Sequence, residues 1–345
     1  MLQHATCQER QSHHRKPMRF RDLIYILTAI WLIQLTVRPS ESAVIYVSSA
    51  GDDANSGTAE KPYRTIQHAV DRLQPGDTCY IRSGRYTETV VLNQINGTPD
   101  TPIRILGHPN ERVILDGTKL VTDPWQVHGG HIYRTRLEQD IWQLFVDDVA
   151  MTPARWPNAH LFDGTAWDMK ATWRHMSPKS EFGKAIDERP FAEMTRRRGE
   201  KTYVPLSGGI NVEPLASSGL NATGAIAIMN LGSWLTWAQR VDTHNTGSDT
   251  FTYSTDFSGS GRAMSRSAER FPGNGDFWFR KNVRDEQAHY YLEDKLELLD
   301  SPGEWFYDPD SGTLYLWKLD GRDPAESAIR GKTETYVLSA RESSY

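Results

Sequence analysis

Thr65-Ile66-Gln67-His68-Ala69-Val70-Asp71-Arg72-Leu73-Gln74-Pro75-Gly76-Asp77-Thr78-Cys79-Tyr80-Ile81-Arg82 is the stretch on which the fold turns. Ile66, Ala69, Val70 and Leu73 recur at i, i+3, i+4 and i+7, a spacing that lines one face of a helix. Thr65 stands where a side-chain oxygen can cap the first turn. Pro75-Gly76-Asp77 stops that helix, and Cys79–Arg82 then reads as a strand. The sequence therefore predicts one short amphipathic helix leading directly into short, turn-punctuated strands.

Working outward, Val44–Val47 is a strand, and Gly51-Asp52-Asp53-Ala54-Asn55-Ser56-Gly57 is a dense turn cluster. Downstream strands follow at Glu88–Leu92, Ile103–Leu106 and Val113–Leu115. No second long helix intervenes, so a doubly wound sheet is excluded, because parallel neighbours there need a helical crossover. The pattern fits the start of a β-solenoid whose exposed first rung is covered by the helix at 65–73. A β-sandwich or barrel is the alternative.

The pieces Ile45-Tyr46-Val47-Ser48, Gly51–Thr58, Lys61-Pro62-Tyr63-Arg64-Thr65-Ile66-Gln67-His68-Ala69 and Gly76–Tyr86, in this order, resemble the opening of secreted bacterial right-handed parallel β-helix proteins. These form the pectin-lyase-like superfamily of polysaccharide lyases and glycoside hydrolases. The resemblance implies a mainly β fold: the start of a right-handed parallel β-helix with a short N-terminal capping helix, plus a large β-rich insertion. Residues 44–118 would be the cap and first coils, 119–330 the inserted module, and 331–345 the start of the main coils.

Composition agrees with a folded chain. Apolar residues are 38% and charged residues 24%, which excludes disorder, a collagen repeat and a polytopic membrane protein. Lys and Arg number 39 against 44 Asp and Glu, so the chain carries −5 and nucleic acid is not its partner. Arg15, Lys16, Arg19 and Arg21 precede an apolar run from Leu23 to Val37, and small residues follow at Ser40, Ser42 and Ala43. Residues 1–43 thus read as a secretory signal peptide, with Met18 as a second candidate start and an uncleaved anchor as the alternative. Export to the periplasm or beyond follows, with no membrane contact after cleavage. Cys79 is then the lone cysteine and reads as a buried thiol.

The insertion carries two hairpin signals. One is Trp142–Val146 and Val149–Thr152 around Asp147-Asp148; the other lies within Gly303–Asp308 and Gly312–Trp317, around Pro309-Asp310-Ser311-Gly312. Strands are expected at Ala225–Asn230, Trp234–Arg240 and Thr250–Ser254, and a helix within 186–199. Thr335–Ser339 is a fresh strand pattern, at the point where the resembling proteins begin their main coils. From this we expect a truncated form that lacks the catalytic coils and is inactive.

No phosphate-binding, zincin, CxxC or nucleophile-elbow motif is present. His128 and His131 lack a third ligand, and no metal or other cofactor is assigned. Asp52, Asp53 and Asn55, like Asp308 and Asp310, offer two or three oxygens where Ca²⁺ takes six to eight, so they read as turn residues. Arg196-Arg197-Arg198 with Lys201 reads as a solvated basic face. Ten tryptophans follow the leader: Trp125, Trp142, Trp156, Trp167, Trp173, Trp234, Trp237, Trp278, Trp305 and Trp317. Flat aromatic faces suit sugar C–H faces, although packing is their commoner use. Arg155-Trp156-Pro157-Asn158 is the preferred exposed element, so Arg155, Trp156 and Asn158 are the candidate substrate-binding residues; a packed corner, with Arg155 paired to Asp147 or Asp148, is the other reading. The expected partner is a polysaccharide or other glycan, and the expected function is its breakdown. A non-catalytic glycan-binding or cell-surface role is the alternative. No catalytic residue is named.

Overall fold

The computed structural model describes residues 42–190, 192–197, 200–205, 213–230, 236–256 and 288–345. Residues 1–41 of the proposed leader, Arg198 of the basic run, and Trp234 and Trp278 lie outside these residues. The chain divides into two compact units, one of residues up to Tyr86 with Val90–Ile114 and Leu338–Tyr345, the other of Thr87–Thr89 and Leu115–Val337.

The first unit is a stack of parallel rungs. Strands β1 (Val44–Val47), β2 (Thr78–Ile81) and β5 (Arg104–Gly107) pair in parallel, with Ile45, Cys79 and Ile105 in one column. β3 (Gly84–Tyr86) pairs with β6 (Val113–Leu115). β4 (Val90–Asn93) pairs in parallel with the last strand, β25 (Leu338–Arg341). Parallel neighbours put like positions one above another, and Tyr46 accordingly stacks on Tyr80 with ring centres 5.8 Å apart. Helix α1 (Ile66–Val70) buries Ile66, Ala69 and Val70, and Thr65 caps it by accepting the His68 amide. That cap is worth about 1 kcal/mol. The Asp77 carboxylate, 4% exposed, ties the following turn by accepting the amides of Ala43 and Gln74 at 2.7 and 2.8 Å.

Among the described residues, the strand pairings of the second unit are antiparallel except for that of Thr152–Pro153 with Glu304–Asp308. Six strands close into a ring: β14 (Arg174–Met176), β15 (Lys184–Pro190), β20 (Thr250–Tyr253), β19 (Thr236–His244), β18 (Ile226–Asn230) and β21 (His289–Glu293), which pairs with both β18 and β14. β13 (Arg155–Trp156) extends the ring beside β21. Alternate residues such as Ala227, Met229, Trp237, Phe251 and Tyr290 fill its interior. The helix expected within 186–199 is instead β15 and β16 (Ala192–Arg197), the latter paired with β17 (Glu200–Pro205). Cross-strand partners outweighed a weak local helix signal.

A five-stranded sheet packs beside the ring. It comprises β8 (Gln126–Gly129), β9 (Ile132–Arg136), β12 (Thr152–Pro153), β22 (Glu304–Asp308) and β23 (Thr313–Trp317), with β12 and β22 parallel. Tyr315, Phe306, Trp317 and Ile132 face the ring, whereas Trp305, Tyr307, Leu314 and Leu316 join a second core with Leu144, Val146 and Ile329. Those last three come from a four-stranded sheet in the order β11 (Val149–Ala150), β10 (Leu144–Val146), β24 (Ile329–Lys332), β7 (Thr118–Leu120). Both expected hairpins form, and Asp147 and Asp148 take left-handed φ of 49° and 66° in the first.

Candidate functional site

Arg155 and Trp156 do not present a surface. They are 4 and 8% exposed, held in β13 against Glu293 and Leu292. The Arg155 guanidinium lies 3.9 Å from the centre of the Tyr291 ring and donates to the carbonyls of Pro157 and Thr172, each at 3.1 Å. Trp156 packs in the ring core. Asn158 alone is exposed, and its amide donates to Asp300 at 2.9 Å. The motif is a packed corner, and the acids near Arg155 are Glu293 and Glu304 rather than Asp147 or Asp148. Asp147 instead accepts the Ala328 amide at 2.8 Å. An aromatic between two polar residues looks like a sugar platform in one dimension, but strand pairing turned it inward.

The acidic turns are likewise engaged locally. Asp53 accepts the amides of Arg64 and Thr65 and the Thr65 hydroxyl, all within 2.9 Å. Asp308 accepts from the Asp310 amide and, at 2.6 Å, the Ser311 hydroxyl. His131 stacks on Trp317 and His128 sits edge-on to Tyr315. Burial pushes the Cys79 thiol up to about 12, so it is held neutral.

The arrangement best suited to a ligand is a groove of about 360 Å³ along the outer edge of the four-stranded sheet. Antiparallel pairing of β7 with β24 sets Leu120 opposite Arg330 and Thr118 opposite Lys332. Thr118, Lys119, Leu120 and Arg330 line the groove, and Thr87–Thr89, Asp116, Gly117, Thr333 and Glu334 complete it. Asp116 accepts the Thr118 amide and hydroxyl at 2.9 and 2.6 Å and faces the Arg330 guanidinium at 3.4 Å. The Gly117 carbonyl accepts the amides of Thr333 and Glu334, each at 3.1 Å. A side chain at Gly117 would sit 2.7 Å from the Val337 methyl, so only glycine allows that closure.

Among the described residues, Thr333 Oγ1 is a buried hydroxyl without a hydrogen-bond partner. Beside the groove Trp142, 53% exposed, donates its amide to the Lys332 carbonyl, and the Lys332 ammonium lies 5.9 Å from its ring centre. Carboxylates, a guanidinium, hydroxyls and one open aromatic face give donors and acceptors for a ring bearing several hydroxyls. Trp142 was visible in the sequence as one tryptophan among ten. Asp116, Arg330 and Thr333 carried no pattern, since 214 residues separate the first two.

Comparison with known proteins bears on the first unit most directly. The family described as Pel9A-like, right handed beta helix region matches residues 45–144. The Bacillus subtilis protein YwoF is 38% identical over 82 residues, which is 24% of this chain and 17% of that protein. Pectate lyase PEL9 of Emericella nidulans is 35% identical over 97 residues, 28% of this chain and 24% of its own. The matches thus span less than a quarter of either relative's length. A structure of a glycoside hydrolase superposes on 87% of this chain and 48% of its own, with a TM-score of 0.57 and 17% identity, a likeness of fold. The resemblance to pectin-lyase-like β-helix proteins is therefore genuine, and the rungs of the first unit are a right-handed β-helix region.

Proposed function

We propose that this protein is an exported carbohydrate-active β-helix protein of the polysaccharide-degrading kind, related to glycoside hydrolases and polysaccharide lyases, and that the β7–β24 groove holds part of the glycan. The observation that carries the reading is the 35% identity to a pectate lyase over 97 residues, on a chain whose first unit stacks parallel rungs. The groove supplies what a sugar needs. Glu88, Asp116 and Glu334 offer acceptors, and Lys119 and Arg330 donors. Export rests on the basic flank, apolar run and small residues within 1–43.

The test is incubation of the purified protein with a panel of neutral and acidic polysaccharides. New reducing ends without an unsaturated product identify a hydrolase, and new reducing ends with one identify a lyase. Retention on immobilised glycan is measured in parallel, for the native protein and for Arg330→Ala. Removal of one hydrogen-bonding guanidinium is expected to weaken retention about tenfold. Absence of both cleavage and retention across the whole panel would overturn the reading.

A further inference from the structure

A second groove, of about 380 Å³, opens on the five-stranded sheet and shares no lining residue with the first. Arg134 and Arg136 alternate along β9, so both project from one face, roughly 7 Å apart at the backbone. Both are exposed and both line the groove. Register sets Arg136 opposite Thr313, and Arg134 between Tyr315 and Gln126. Ser311, Thr313 and Gln126 add neutral polar groups to the same lining.

The charge balance is unusual for this chain. The chain carries −5 overall, yet the charged lining here is two guanidinia against the single carboxylate of Asp123. Among the described residues neither guanidinium has a hydrogen-bond or ion-pair partner. Asp308, on the same face of β22 and across from Thr313, is occupied by the Ser311 hydroxyl and the Asp310 amide. Two like charges held side by side repel each other, and a bound anion removes that penalty. A guanidinium also presents a planar fork of donors matched to carboxylate and sulfate oxygens.

We propose that this groove binds an anionic group on a glycan, a uronate carboxylate or a sulfate ester, with Arg134 and Arg136 as its two clamps and Ser311, Thr313 and Gln126 on the neighbouring hydroxyls. That the anion rides on a sugar rests on the function proposed above; that an anion is bound does not. The site lies in the second unit and is separate from the β7–β24 groove, so it anchors an acidic chain at a distance from where that groove holds it.

Calorimetric titration of the whole protein tests this. The probes are a uronate oligosaccharide, the same oligosaccharide fully methyl-esterified, and a sulfated neutral oligosaccharide. The uronate or the sulfated probe is expected to bind at least tenfold more tightly than the esterified one, and to weaken as salt rises from about 50 to about 500 mM. Arg134→Ala/Arg136→Ala should lose that tenfold preference, and Arg134→Lys/Arg136→Lys should retain most of it. Both pairs are on the surface, so an unchanged melting temperature shows that folding is intact. Equal binding of charged and esterified probes, or an unchanged preference in the double alanine variant, would overturn the site while leaving the glycan reading in place. Tight binding of inorganic sulfate, lost in the double alanine variant, with no binding of any oligosaccharide, would uphold the clamp and overturn its sugar.

Discussion

The ring of six strands encloses a buried ion pair whose removal can be worked through in numbers. Arg174 Nε and Nη2 donate to Asp187 Oδ1 and Oδ2 at 2.8 and 2.6 Å, with side-chain exposures of 0 and 2%. Asp187 also accepts the Tyr290 hydroxyl at 2.9 Å and the Leu215 amide at 3.1 Å. Asp187→Ala removes the carboxylate that neutralises the buried Arg174 guanidinium, which costs about 3–5 kcal/mol. The stranded Tyr290 hydroxyl adds about 1 kcal/mol more, less than its stand-alone value because one network is being cut. A loss of about 4–6 kcal/mol lowers the melting temperature of a unit this size by roughly 8–24 °C. Urea denaturation followed by tryptophan fluorescence reads this unit, because every tryptophan among the described residues belongs to it. A second variant separates charge burial from packing. Arg174→Met/Asp187→Leu/Tyr290→Phe removes the three polar side chains together, leaving only the Leu215 amide to find another acceptor, and should return to within about 2 kcal/mol of the native chain. An Asp187→Ala loss below about 1 kcal/mol, or a triple variant no better than the single one, would refute the argument.

Glu304 gives a pH prediction. It is fully buried, accepts amides from Arg155, Asp300 and Ser301, and burial with the neighbouring Asp300 pushes it up to about 9. A carboxyl raised in the folded state stabilises fully below its unfolded pKa and loses that contribution as pH rises through the folded one. Urea midpoints should therefore fall between about pH 5 and pH 9, and Glu304→Gln should flatten the slope; a midpoint that rises with pH would contradict this. In the first unit Cys79, fully buried beneath α1, should cost about 1–2 kcal/mol when replaced by Ala. With Cys7 changed to Ser, a thiol reagent should label Cys79 only as the chain unfolds, and immediate labelling in native buffer would place that thiol at the surface.

What could be read in advance was whatever local chemistry specifies. Thr65 and the Ile66–Val70 stripe defined a helix because cap and face lie within one turn of chain. The Asp147-Asp148 and Pro309–Gly312 turns announced their hairpins for the same reason. Residues 184–197 failed that test, since their strand character comes from β14, β20 and β17, which are distant or follow later. Arg174 and Asp187 carried no sequence signal of their pairing, which strand pairing creates inside the ring. The Arg155–Asn158 motif was read as open because sequence shows residue type and not side-chain direction. Thr333, the orphan hydroxyl of the groove, has no signature at all; only the closure of Gly117 on Thr333 and Glu334 makes it matter.

That closure has a consequence for how such chains are assembled. The strand that leaves at Thr118 and the strand that comes back at Lys332 run side by side, and one carbonyl at their root clasps both amides of the returning segment. More than two hundred residues thus begin and finish at a single doorway. A cassette with adjoining ends can be lifted out and spliced into a host's surface turn with little distortion of either, and loop-closure cost grows by only about 0.6 kcal/mol per doubling of length. The module is, in that sense, portable.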